Sequence, residues 1–382
     1  PRALRADSLA PITAFNGAKI KAVKRRGKFM WLEFDRPEVL VAHLGMSGQF
    51  KIQKKSSEYE RHLRANFTLS NGMDMRFIDQ RTFGWLCVDQ LNDGIPNVHA
   101  PLLKLAGFEV VAIQTTNPDR AAQARADFPD AVICSSAEEL LSHNLDLAVV
   151  ASVNTAHESN AKAAIDAGVA VVVDKPMATT LAGTRELFNY AESKNVPITV
   201  YFNRLWDSDT LTIKEKMELV GVPHRFDGRF ERFRPNLAAQ SWREQSTSSQ
   251  GGGLLLDIQS HLISTALDCF GPAKLKFAKV QSVRGASDDD VLLVLQHDSG
   301  VVSSLAASAI AGATGPRARL LGDKGAIVVN DLDPQEALLR EGNYEAGEKR
   351  SRVELHQGDK VTVIDAVPGN YLQFYFQMRE FL

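Results

Sequence analysis

The residues best suited to chemistry lie in "GGGLLLDIQSHL", residues 251–262. Gly251, Gly252 and Gly253 lead into a helical pattern that carries Asp257 and His261 four positions apart. On a helix that spacing puts both on one face. A carboxylate beside an imidazole orients the ring and holds its protonated form, which suits general acid/base work. The same spacing also suits an ion pair on a helix surface. Lys175 in "VVVDKPMA" is a second candidate, at the end of an apolar run and before Pro176. A lysine there sets a cation beside a substrate hydroxyl or a cofactor, although Lys-Pro at a strand end is also an ordinary turn. The three glycines are not a phosphate loop, because no Gly-Lys-Ser/Thr follows them.

These side chains need strands and helices to hold them. From residue 98 to 204, apolar β-branched runs alternate with helical stretches, the pattern of a parallel sheet covered on both faces. The strand runs are "FEVVAIQ", "AVIC", "LDLAVVAS", "VAVVVDKP" and "PITVYFN". Asn117 and Pro118 open one helix, Ser136 and Glu139 have capping-box spacing, and Gly168 closes a third helix. Ligands of such sheets bind at the carboxyl ends of strands. That rule selects residues 114–117, 151–157 and 174–178. Beyond residue 205, "DDDVLLVLQHDSGVVSSLAASA" and "RARLLGDKGAIVVN" read as long, mostly antiparallel strands of an open sheet. The first 97 residues read as β-rich, with a hairpin at Asn71-Gly72, where both turn residues tolerate positive φ.

A chain of 382 residues has room for two or three domains. Its three cysteines are far apart, with no CxxC spacing, which argues against a disulfide framework or a zinc site and fits a reducing, cytoplasmic setting. No metal site and no membrane partner are expected, since no apolar run reaches spanning length. Charge is uneven. Residues 1–95 carry 16 Lys and Arg against 10 Asp and Glu, while the remainder carries 28 against 36. A basic module joined to an acidic one suggests different partners. The basic run at residues 19–28 grips phosphates or forms a solvated face.

Two resemblances follow. "KRRGKFMWLEF", "AHLGMSGQF", "HLRANFTLSNG" and "RFIDQRTFGW" resemble the N-terminal domain of formamidopyrimidine-DNA glycosylase. That implies a β-sandwich in which Lys28 contacts a backbone phosphate, Met46 fills the gap of a flipped base, and Arg81 and Phe83 hold the opposite strand. Plain core packing is the other reading of Met46 and Phe83. The family's catalytic proline precedes glutamate, whereas Pro1 precedes Arg2, so no excision is expected, only weak DNA binding through residues 19–28. Residues 98–382 resemble the glucose–fructose oxidoreductase / inositol dehydrogenase (Gfo/Idh/MocA) family, through "HAPLL", "VVASVNTAH", "VVVDKPMA", "RFRPN" and "GGGLLLDIQSHL". The branch looks like that of scyllo-inositol dehydrogenase.

That second resemblance implies hydride transfer between NAD(P) and a sugar or cyclitol hydroxyl. His261 would move the proton, Asp257 would orient His261, and Lys175 would polarise the substrate oxygen. Thr115, Thr116, Ser152, Asn154, His157 and Lys175 would contact cofactor. No acidic residue stands at 115–117 to bind ribose hydroxyls, which leans towards NADP. The fold expected is α/β and α+β. A partial glycosylase-like β-sandwich (1–97) precedes a truncated Rossmann-type parallel sheet (98–204) and a mostly antiparallel open-sheet domain (205–382), whose sheet suits a homo-oligomer contact.

The chain thus reads as a composite, a chimera of two incomplete parents. Before His99, where the family has its first strand and Gly-x-Gly-x-x-Gly loop, stands "WLCVDQLNDGIPNV". Residues 85–90 are expected to replace that strand and to pair in parallel with residues 108–114. Gln90, Asn92 and Ile95 would fall where the glycines belong, so cofactor binding is expected to be weak.

Overall fold

The computed structural model describes residues 12–26, 29–35, 38–44, 48–80, 85–90, 98–237, 246–285, 287–333, 335, 339 and 352–382. The chain forms two compact units, Pro1–Asp93 and Gly94–Leu382.

The first unit is made of antiparallel strands: β1 (Ile20–Arg26), β2 (Phe29–Phe34), β3 (Glu38–His43), β4 (Gln49–Lys54), β5 (Leu63–Thr68), β6 (Met73–Ile78) and β7 (Trp85–Gln90). One sheet has the order β1-β2-β3-β7 and the other β4-β6-β5. Alternation along the strands sends Leu32, Leu40, Ala42 and Leu86 from the first sheet, and Met75 and Phe77 from the second, into one core with Phe15. The hairpin at Asn71-Gly72 forms as expected: Gly72 has φ 79, and Leu69 N–H donates to Met73 O at 2.8 Å. Arg76 is buried, and its two terminal nitrogens donate to Gln53 Oε1 (2.9 Å), Glu58 O (2.7 Å) and Ser57 O (2.9 Å).

Residues 85–90 do not join the parallel sheet. They pair antiparallel with β3, from Glu38↔Gln90 to His43↔Trp85, and this corrects the expectation of a replacement first strand. The physical reason is local: a six-residue register gives β7 a complete ladder on β3, and Leu86 enters the core of its own unit.

In the second unit, α1 (His99–Leu105) is followed by β8 (Ala112–Gln114), α2 (Pro118–Asp127), β9 (Val132–Cys134), α3 (Ala137–Leu141), β10 (Leu147–Val150), α4 (His157–Asp166), β11 (Ala170–Asp174), α5 (Leu181–Ser193) and β12 (Ile198–Tyr201). The capping signals hold: Arg120 N–H donates to Asn117 Oδ1 at 3.0 Å, and Glu139 N–H donates to Ser136 Oγ at 3.1 Å. The parallel strands fall into two pieces, β8-β9 and β10-β11-β12. Among the described residues no strand lies between β8 and β10. One face of the three-stranded piece packs Val150, Val171 and Val173 on Ala161 and Ile165 of α4 and Leu187 of α5. Val172 and Tyr201 pack with Leu102 and Ala106 near α1.

After α6 (Ser208–Lys216) and β13 (Pro223–Glu231) come α7 (Ser260–Phe270), β14 (Ala273–Gln281), β15 (Asp290–His297), β16 (Val302–Ser308), β17 (Ala318–Gly322), β18 (Gly325–Val329), β19 (Val353–Gln357), β20 (Lys360–Ile364) and α8 (Leu372–Phe381). These strands make one eight-stranded sheet, order β14-β15-β16-β13-β17-β18-β19-β20, antiparallel except for β13 beside β16. Val291, Leu293, Leu305, Leu320 and Ile327 face Ile213 of α6 and Leu262 of α7. The last helix packs back on α1: Phe374 and Tyr375 of α8 pack on Leu102, His99 and Tyr375 share a hydrogen bond at 2.5 Å, and Arg379 donates to Ala106 O at 3.0 Å. Among the described residues no helix is long and apolar enough to cross a membrane.

Candidate active site

The glycine run allows two close approaches. Gly251 (φ 84) lies against Asn154, whose Nδ2 donates to Gly251 O at 2.9 Å. Gly253 (φ 93) lies so near Asp288 that a Cβ there would strike the carboxylate. Asp288 in turn fixes the start of the helical stretch. Its carbonyl accepts from Leu254 N–H at 2.9 Å, Oδ2 accepts from Leu255 N–H at 2.6 Å, and Oδ1 accepts from Ser248 Oγ at 3.0 Å. The first turn, Leu255–Gln259, is π-helical rather than α-helical, and α7 follows it. Such π turns recur at functional sites.

Asp257 sits in that turn and binds Lys175, which stands just after β11. Lys175 Nζ donates to Asp257 O at 2.6 Å and to Asp257 Oδ1 at 2.7 Å. His261, in the first turn of α7, is 5% exposed, and its Nδ1 is buried without a hydrogen-bond partner. His261 Nδ1 therefore makes no bond to Asp257, whose Oδ1 accepts from Lys175. Burial lowers the His261 pKa well below the ordinary histidine value, and the positive charges of Lys175, Arg204 and Arg317 lower it further. Both effects favour the neutral ring. Arg204 and Arg317 were not expected from sequence as part of this site.

The loops after the parallel strands are stapled together. His157 is buried, with Nδ1 2.7 Å from Pro176 O and Nε2 3.0 Å from Ser152 O. Ser152 Oγ accepts from Asn160 Nδ2 at 3.1 Å. So His157, Ser152 and Asn154 tie the ends of β10 and β11 and the glycine run to one another. At the end of β8, Thr115 Oγ1 accepts from Asn117 N–H at 3.3 Å, and Thr116 is exposed. Lys28, Met46, Arg81 and Phe83 lie outside the described residues, as do Pro1, Asn92 and Ile95.

A cavity of about 150 Å³ adjoins the Lys175–Asp257 pair; Asp257, Ile258, Phe230, Arg232, Arg234 and Arg284 are among its lining residues. Among the described residues no cluster of three or more His, Cys, Asp or Glu side chains suits a metal ion.

This frame matches known proteins. The model of the oxidoreductase family with an NAD-binding Rossmann fold covers residues 94–202, and that of the GFO/IDH/MocA C-terminal domain covers residues 213–328. The uncharacterized oxidoreductase YdgJ of Escherichia coli is 33% identical over 299 residues, 74% of this chain and 84% of that protein. The chain belongs to the Gfo/Idh/MocA oxidoreductase family. The scyllo-inositol 2-dehydrogenase (NADP(+)) IolW of Bacillus subtilis is 30% identical, over 74% of this chain and 81% of its own length. The solved structure of yvaA from Bacillus subtilis superposes with a TM-score of 0.65 at 29% identity, covering 74% of this chain and 84% of that one. Residues 1–86 match the formamidopyrimidine-DNA glycosylase N-terminal domain. A glycosylase of Thermobifida fusca is 44% identical over 114 residues, and this chain spans only 38% of that protein.

An NAD-binding Rossmann domain holds pyrophosphate on a glycine loop between its first strand and first helix. The residues present here fit the reacting end of such a cofactor, at Lys175. No strand ahead of α1 joins the parallel sheet among the described residues, so no cradle for the pyrophosphate is assigned.

Proposed function

We propose that residues 98–382 carry the reacting centre of an oxidoreductase that converts a sugar or cyclitol carbinol to a carbonyl with NADP or NAD. One observation carries this reading: Lys175 and Asp257 meet at 2.7 Å beside a cavity, with a buried neutral His261 under the same positive charge. A bound nicotinamide supplies the two-electron acceptor. An ammonium has three donors, and Asp257 takes two of those of Lys175, leaving one N–H for the substrate oxygen. As the C–H hydride leaves, the hydroxyl proton passes to His261, and the carbinol becomes a carbonyl. Lys175 stabilises the negative charge that develops on oxygen. Asp257 positions Lys175.

The scyllo-inositol dehydrogenase relative supports a cyclitol substrate and NADP, as does the absence of a carboxylate at Thr115 and Thr116. Cofactor affinity is weak, because Gln90, Asn92 and Ile95 stand in the sequence where the family has its glycines. Leu275, Phe277, Val280 and Leu292 are exposed on the eight-stranded sheet and support a homo-oligomer contact there. The glycosylase-like unit supports a second reading, a sandwich that binds DNA weakly through the basic residues 19–28 without excising a base. The test is NADP reduction at millimolar cofactor across a polyol panel. A rate that rises with polyol supports the oxidoreductase, and no rate with any polyol contradicts it.

A further inference from the structure

We infer that the cavity beside Lys175 receives an anionic oxygen group, a carboxylate carried by the polyol substrate, with Arg234 as its receptor. The inference rests on the oxidoreductase reading for what happens at Lys175, but not for the anion site itself. Arg232 and Arg234 lie on extended chain that continues β13: Arg232 N–H donates to Ser308 O at 2.8 Å, and Arg234 N–H donates to Ala309 O at 2.7 Å. Positions two apart on extended chain face the same way, and half-buried Arg232 and exposed Arg234 both line the cavity. Arg284 Nη1 donates to Arg234 O at 2.6 Å and so fixes that backbone.

The charges on the wall are unequal in what remains for a ligand. Asp257 is held by Lys175, and both carboxylate oxygens of Asp288 accept from Leu255 N–H and Ser248 Oγ. Arg284 binds Asp289 Oδ2 through Nε at 3.1 Å. Arg232 lies over the Phe230 ring at 4.5 Å. The Arg234 side chain has no carboxylate partner among the described residues. Among the described residues the carboxylates are thus engaged and the Arg234 guanidinium has no carboxylate partner, which leaves the wall attractive to an anion. A guanidinium fork matches the two oxygens of a carboxylate in one plane. With the carboxylate at Arg234 and the polyol on the Asp257 side of the cavity, the substrate is an acidic member of the sugar and cyclitol class, a polyhydroxy acid.

Calorimetry on the full chain tests this without any cofactor, using gluconate, myo-inositol and glucose 6-phosphate. Gluconate should bind at least tenfold more tightly than myo-inositol. Arg234→Gln should erase most of that preference, since a charged hydrogen-bonding partner contributes about tenfold or more. Arg234→Lys should retain part of it, which separates charge from misfolding. Equal binding of gluconate and myo-inositol, no binding of either, or a preference unmoved by Arg234→Gln would overturn the inference. Tighter binding of glucose 6-phosphate than of gluconate would overturn the carboxylate in favour of a phosphoryl group. Gluconate binding without NADP reduction by any polyol would sink the oxidoreductase reading and leave the anion site standing.

Discussion

His261 has no compensating hydrogen bond at Nδ1, so its state is set by burial and by neighbouring cations. His261→Ala should lower any polyol-dependent NADP reduction about 10²-fold or more, the scale of general acid/base work. Lys175→Ala should lower it strongly too, and full activity in either variant would remove the proposed role. The pH dependence has a definite sign. A histidine whose folded value lies below the ordinary 6.5 contributes stability that is fully present above about 6.5 and is lost as pH falls through the folded value. The stability advantage of wild type over His261→Gln, read from urea melts, should therefore shrink as pH drops below about 6.5. An advantage that grows on acidification would contradict a buried neutral ring. Asp257, His261 and Lys175 were picked out in sequence by their types and their strand-end or helix positions. The contact between Lys175 and Asp257 was not, because the two lie 82 residues apart in the chain.

Two elements hold the centre in place, and each makes a prediction. Asp288 ties the loop before β15 to the π turn that carries Asp257. Asp288→Ala leaves Leu255 N–H without its acceptor and should destabilise the second unit by about 1–3 kcal/mol in denaturant melts. An unchanged midpoint would mean that the cap is dispensable. In sequence Asp288 opens "DDDVLLVLQHDSGVVSSLAASA", which reads as strand, so its role at the π turn was hidden. At the start of α6, Asp207 is pushed up to about 7 by burial, with Arg204 opposing and Asp209 and Asp333 reinforcing. A carboxyl raised in the folded state contributes stability below about 3.8 that is lost as pH rises through about 7. Asp207→Asn should therefore gain stability relative to wild type between about pH 4 and pH 7. The opposite trend would show that the Arg204 ion pair at 3.0 Å outweighs burial. Strand β7 shows how periodicity misleads: its apolar run fits either sheet, and the antiparallel ladder on β3 decided the matter.

At the scale of the whole molecule, the order of motifs made the two parental families legible, because each parent keeps several consecutive motifs. What could not be read was which sheet takes the strand at the seam. That depends on pairing with residues some forty-five positions earlier, not on the run itself. The central claim is that a reacting centre is retained while the pyrophosphate cradle is not. It is tested most directly by titrating the full chain with NADPH and following cofactor fluorescence. The account predicts binding no tighter than about 1 mM, because the sequence has no Gly-x-Gly-x-x-Gly just ahead of α1. Saturable binding at micromolar NADPH would contradict it.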